Sequence, residues 1–248
     1  MLELIRPARQ WEWIACGKHP VARDFFFVGR EFPLARSFSE WVETGFRNFS
    51  EKKNTISTGA SWRFWARGPR AGSFVCGLIR DSSDSLGRSY PFLVMGTGPL
   101  KGWEEQWELL PFACEKTWEQ IEYLAVQGRS DLKQFENEIA GIRTPGPDWP
   151  LFVSQRERLM QGKEASGSPG NMPEGNNGFL SLPLVATGDQ FEQISASHSR
   201  LKTGLPSAPT VLFMGGSMEK AHVAVFQRPL VADDFVKLWT LSELLIDP

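Results

Sequence analysis

Chemistry at a protein site needs titratable groups brought together, and one polar segment of this chain supplies several. Residues 80–89, RDSSDSLGRS, place Asp81, Asp84 and Arg88 around Gly87. Two carboxylates beside a guanidinium could act as acid and base if their surroundings drive their pKa values apart. An Asp84–Arg88 ion pair could equally do no more than shape the turn. The residues alone leave both readings open, and a charged loop between buried segments is a natural place for function.

Other candidates are weaker. The histidines His19, His198 and His222 are isolated, with no HExxH or paired-ligand spacing. Cys16, Cys76 and Cys114 are odd in number and far apart, matching neither zinc spacing nor a CxxC motif, so reduced, buried thiols are expected. Ser217 sits in GGSME, which is not the GxSxG nucleophile elbow. Gly17–Lys18 lacks the upstream glycine of a phosphate loop, and His19 stands where that loop needs Ser or Thr; a turn with a solvent-facing Lys18 is expected instead. Asp233–Asp234 falls at the start of the last helix, where the helix dipole accounts for it. No catalytic residue, cofactor site or metal site is assigned.

The segments that must position the 80–89 loop are β-rich. Residues 62–66, 73–78 and 90–95 are short runs of aromatic and β-branched residues, the first two joined by RGPRAG as a hairpin. Residues 11–16 read as a first strand. Residues 34–49 form the clearest early helix, with Phe38, Trp41, Val42, Gly45, Phe46 and Phe49 on one face and Ser37 with Glu40 as a capping box. Residues 48–59 read as a loop. A second helical stretch, 103–127, should break near Leu110 because Pro111 follows, and Gly128 should end it. Residues 131–142 read as a further helix, and TPGPDWP at 144–150 as a turn cluster.

Residues 161–178, rich in Gly, Ser, Pro and Asn, read as a flexible loop inside one domain covering 1–248. An edge strand over 179–186 is expected, since Pro183 interrupts it. A helix opening at Asp189 follows, with Phe191, Ile194, His198 and Leu201 as its stripe and Gly204 as its stop. Residues 210–214 and 222–226 make a hairpin, and the last helix buries a stripe from Val231 to Leu245. Adjacent strands with hairpin-length links predict an α+β fold, an α/β/α layered sandwich with a mainly antiparallel central sheet.

Composition excludes several classes. The chain has 248 residues, 41% hydrophobic and 23% charged, with net charge −2, so it lacks the basic footprint of a nucleic-acid binder. No run reaches the roughly 20 apolar residues of a membrane span. The opening MLELIRPARQ has no apolar signal-type core, so a cytoplasmic location is expected. Ten Trp and eighteen Phe point to a core, or an interface, built on large rings.

WRF at 62–64 followed by SSDSLGRSYP at 82–91 resembles the pattern of the TagF/ImpM family, accessory proteins of bacterial type VI secretion systems. CGKHPVARDFF at 16–26, the Trp41 region, APTVLFMGGS and RPLVADDFVKLW resemble further family segments. Tyr90 stands where the family has Phe, and Arg228 where it has Gly. The resemblance marks Gly17, Lys18, Asp24, Trp62, Arg63, Phe64, Asp84, Gly87, Arg88 and Pro91 as family-motif positions, structural or partner-binding. It implies a longin-like α/β/α sandwich. It also implies a post-translational negative regulator of secretion that binds an assembly component, the forkhead-associated scaffold protein. The alternative is a hydrolase or small-ligand-binding enzyme using the Asp84–Arg88 loop.

Overall fold

In the computed structural model, residues 11–52, 59–127, 131–161, 177–185 and 188–243 are described. The strands are β1 (Glu12–Gly17), β2 (Phe26–Gly29), β3 (Ser61–Arg67), β4 (Ser73–Arg80), β5 (Phe92–Pro99), β6 (Phe179–Leu184), β7 (Val211–Gly216) and β8 (Ala221–Phe226). The helices are α1 (Pro33–Lys52), α2 (Leu110–Val126), α3 (Leu132–Ala140), α4 (Trp149–Met160), α5 (Gln190–Gly204) and α6 (Ala232–Leu241). The eight strands form one sheet in the order β2-β1-β5-β4-β3-β7-β8-β6. Every pairing in it is antiparallel.

Alternation along β3 shows how the layers arise. Trp62, Phe64 and Ala66 enter a core shared with α1 and α6, while Trp65 enters the opposite core beneath α2, α3 and α5. Successive side chains of a strand point to opposite faces, so one short run of large rings serves both layers. Phe64 stacks on Phe38 of α1 at 5.3 Å, and Trp65 donates its indole N–H to His198 Nε2 of α5 at 3.2 Å. Helices therefore cover both faces, as the pattern of hairpins and amphipathic helices predicts.

Several local expectations need correction. Helix α1 opens at Pro33, whose fixed φ and missing N–H suit a first turn. Ser37 therefore lies inside the helix and donates to the Pro33 carbonyl at 3.2 Å instead of forming a capping box with Glu40. The helix also runs to Lys52, through part of the expected 48–59 loop; residues 53–58 are outside the described ones. Strand β2 and helix α4 were not legible. The first has only four residues, FFVG, with no polar residue to mark its exposed side, and the second has no fully buried residue. The TPGPDWP cluster in fact contains the start of α4, with Asp148 accepting from the Leu151 amide at 3.4 Å. Pro111 does lie in the first turn of α2, after a 3-10 turn over Trp107–Leu109. The edge strand with Pro183, the Asp189 cap and the β7–β8 hairpin stand as expected. The expected loop core at 162–176, Gly128 and Leu245 lie outside the described residues.

Candidate functional site

Antiparallel pairing brings Gly17, Arg80, Phe92 and Ser61 to one end of the sheet. There the segment after β1 meets the β4–β5 loop. Asp84 is the centre of this meeting and is only 2% exposed. Its Oδ1 accepts the amides of Leu86 and Arg88, each at 3.0 Å. Its Oδ2 accepts Arg88 Nε at 2.7 Å and faces Lys18 Nζ at 3.3 Å. Arg88 reaches on to the Arg23 carbonyl at 2.5 Å and to Asp24 Oδ2 at 3.4 Å.

Lys18 is thus not the solvent-facing residue expected of the turn: its side chain is 14% exposed and directed at Asp84. Burial pushes the Asp84 carboxyl up, but the Arg88 amide and guanidinium, the Leu86 amide and Lys18 outweigh it and hold the pKa at about 2. A carboxylate so held accepts hydrogen bonds and does not trade protons near neutrality. Asp81 lies elsewhere, accepting Trp239 Nε1 of α6 at 2.7 Å and the Ala60 amide at 3.2 Å. The two carboxylates are employed separately and do not form an acid–base pair.

The structure brings together Gly17, Lys18, Asp24, Asp84, Gly87, Arg88 and Pro91. Gly17 lies with its α-carbon against the Pro91 carbonyl, and Gly87 takes φ +78° in the loop turn. Trp62 and Phe64 are not part of this cluster; both are completely buried in the α1–α6 core. Arg63, between them, faces the other way. It clamps Glu122 of α2 with two hydrogen bonds of 2.7 and 2.6 Å and lies 5.9 Å from the Trp118 ring.

Arg63 also lines a cleft of about 740 Å³ at this end of the sheet, which sequence reasoning missed. Arg80, Glu115, Glu119 and Phe191 share its wall. Burial, then the neighbouring Glu119, pushes the Glu115 carboxyl up. The four-residue spacing of Glu115 and Glu119 on a helix was a visible signal, but strand β3 had to be placed beside them first. Among the described residues, no group of three or more His, Cys, Asp or Glu side chains could hold a metal ion. The three cysteines are free and buried.

Two histidines are structural. His19 is fully buried between Phe92 and Phe135, at 5.0 Å from each. Its Nδ1 accepts the Val21 amide at 3.2 Å, which leaves the other nitrogen turned toward the Leu124 and Ala125 carbonyls, too loosely for a hydrogen bond. His198 Nδ1–H donates to the Ile194 carbonyl at 2.8 Å, so Nε2 is free to accept from Trp65. Burial lowers both imidazoles from 6.5 to about 4. The unfolded chain then binds more protons below pH 6.5, and stability falls as the pH drops through the interval to 4. The expected slope approaches two protons, about 3 kcal/mol per pH unit near pH 5. Asp84 adds a separate loss only below its ordinary 3.8, complete near pH 2. Denaturant midpoints measured from pH 7 to pH 4 check this, and His198→Gln should remove about one proton from the slope; a flat profile would contradict the buried neutral histidines.

Comparison with known proteins gives two findings. The model of the TagF N-terminal domain, type VI secretion system-associated, matches residues 15–142. A crystal structure of PA0076 from Pseudomonas aeruginosa PAO1 has the same fold, with TM-score 0.55 and 18% identity over 96% of this chain and 97% of that one. No curated protein matches. Among the described residues, no helix is long and apolar enough to cross a membrane. The family match contains all ten motif positions, from Gly17 to Pro91, and covers more than half of the 248 residues: the chain belongs to the TagF family of type VI secretion-associated proteins.

Proposed function

We propose that this protein is a non-enzymatic, cytoplasmic negative regulator of type VI secretion that binds a component of the assembly, with the forkhead-associated scaffold protein as the partner. Family membership over 15–142 carries the reading. The state of Asp84 supports it. A hydrolase that used Asp84 as its general acid or base would need a carboxyl free to exchange protons, whereas both oxygens of this one are engaged by Arg88, the Leu86 amide and Lys18. The motif's charges hold two loops together and leave their outer surface for a partner.

A binder works by mass action, so its effect must scale with its amount relative to the target. Overproduction should silence secretion while the levels of the apparatus proteins stay unchanged, and the scaffold should co-purify with the protein in a fixed ratio. Repression that is complete at trace amounts would sink the stoichiometric reading, because only turnover acts far below the concentration of its target.

A further inference from the structure

The cleft beside Arg63 holds charge that the fold leaves unanswered. Residues of β3, β7, α2 and the N-terminal end of α5 line it. Helix α2 contributes Glu115, Glu119 and Glu122, spaced four and then three apart and so on one stripe. Glu122 is taken up by Arg63, which meets both of its oxygens. Glu115 and Glu119 make no hydrogen bond or ion pair among the described residues. Asp84, Asp234 and Glu108, by contrast, each meet two basic side chains. Glu115 is partly buried, and that burial, with Glu119 beside it, pushes its carboxyl up. The folded chain therefore carries an unpaired, partly desolvated charge at this point.

The excess survives a count of the surroundings. Four carboxylates, the three on α2 and Glu219, line the cleft against two guanidinium groups, Arg63 and Arg80. Just beyond the lining, Asp81 and Asp189 offset Lys116 and Lys220. The same lining offers apolar contact. Phe191 is braced edge-on against Phe112 at 5.0 Å, and Met218 is fully exposed. A ring face attracts a cation, and a flexible methionine adapts to what lies on it. The volume of about 740 Å³ is in the range that holds a ligand or several side chains.

We infer that this cleft receives a basic segment of a partner protein, with one lysine or arginine side chain between Glu115 and Glu119 and an apolar neighbour against Phe191. A free polyamine brings the charge but no apolar side chain for Phe191 and Met218, whereas a polypeptide brings both. The inference rests on the reading that the protein works by binding an assembly component, and it names the surface and the chemistry of what binds there.

Fluorescent peptides of about eight residues, alternating leucine with lysine or leucine with glutamate, test it on the full chain by anisotropy. The basic peptide should bind at least about tenfold more tightly than the acidic one, and weaken as salt rises. The Glu115→Gln, Glu119→Gln variant should lose that preference. Glu40→Gln, Glu51→Gln removes the same charge from exposed positions of α1, in the other helical layer, and should keep it. Bound peptide should also lower the titration midpoint of the Glu115 carboxyl in carbon NMR, because a cation favours the charged form. Glu115→Gln alone should be at least as stable as the unsubstituted chain near neutrality, since it removes an unpaired charge. A destabilised variant would show a structural carboxylate and overturn the inference. Equal affinity for both peptides, no binding at millimolar peptide, or equal weakening in the two double variants would overturn it as well. So would spermidine competing as tightly as the basic peptide, since a small amine would then own the cleft. Repression retained by the Glu115→Gln, Glu119→Gln variant after its peptide binding is lost removes this site and leaves the regulatory reading standing. Peptide binding by a chain that represses nothing does the reverse.

Discussion

Replacing Gly17 by alanine should destabilise the protein by about 3 kcal/mol or more, whereas Gly87→Ala should cost only about 1 kcal/mol. Both are motif glycines with positive φ, at +110° and +78°, but their surroundings differ. A β-carbon on Gly17 would lie 2.1 Å from the Pro91 carbonyl oxygen and 3.2 Å from Phe92 Cα. Those atoms are backbone, held by the β1–β5 ladder in which Gly17 faces Phe92, so no side chain can swing aside. Around Gly87 nothing lies within 4 Å, and only the left-handed backbone resists a side chain. Relief of the Gly17 clash must open the end of β1, which carries Lys18 away from Asp84. Denaturant midpoints of the two variants, with Gly87→Asn as a milder partner, decide the matter. Equal losses would show that conformation alone, and not the Gly17–Pro91 approach, keeps glycine at position 17.

What the sequence reveals depends on how local each cause is. The β3–β4 hairpin, the break at Pro111, the Asp189 cap and the Pro183 edge strand arise from neighbouring residues, and all were legible. So was the pairing of Asp84 with Arg88, four residues apart around a glycine. The role of Lys18 was not. Its partner is 66 positions away by number and becomes a neighbour only when β1 pairs with β5. The family resemblance marked Lys18 and Asp24 without saying why; the structure supplies the reason, since both meet the Asp84–Arg88 pair. The WRF triplet shows the opposite limit. Strand alternation predicts that Arg63 faces away from Trp62 and Phe64, yet only the packing of α2 identifies Glu122 as its partner. The cleft beside Arg63 was invisible for the same reason.

Asp234→Ala should cost about 3 kcal/mol, and it tests what the carboxylate at the start of α6 does. The negative charge at the start of α6 was expected to answer the helix dipole, which for an exposed carboxylate is worth at most about 1 kcal/mol. Asp234 is instead fully buried and bonded on several sides. Arg228 reaches both of its oxygens at 2.6 and 2.8 Å, Lys237 reaches one at 3.0 Å, and the Val231 amide donates at 2.9 Å. Burial pushes this carboxyl up, but Arg228, the Val231 amide and Lys237 bring it below the ordinary carboxylate range. Arg228 thus lies beside a carboxylate able to absorb its charge. Removing Asp234 leaves that guanidinium, 29% exposed, without its acceptors and leaves the first turn of α6 without its cap. Removing Arg228 should cost less, because Lys237 still faces the carboxylate. The double variant Arg228→Gly, Asp234→Ala should lose less than the sum of the Arg228→Gly and Asp234→Ala losses, since it removes both partners of the buried pair together. Chemical denaturation of the three variants measures the coupling. Strict additivity of the single losses would mean that Arg228 and Asp234 act independently, and that the dipole account of this carboxylate was sufficient.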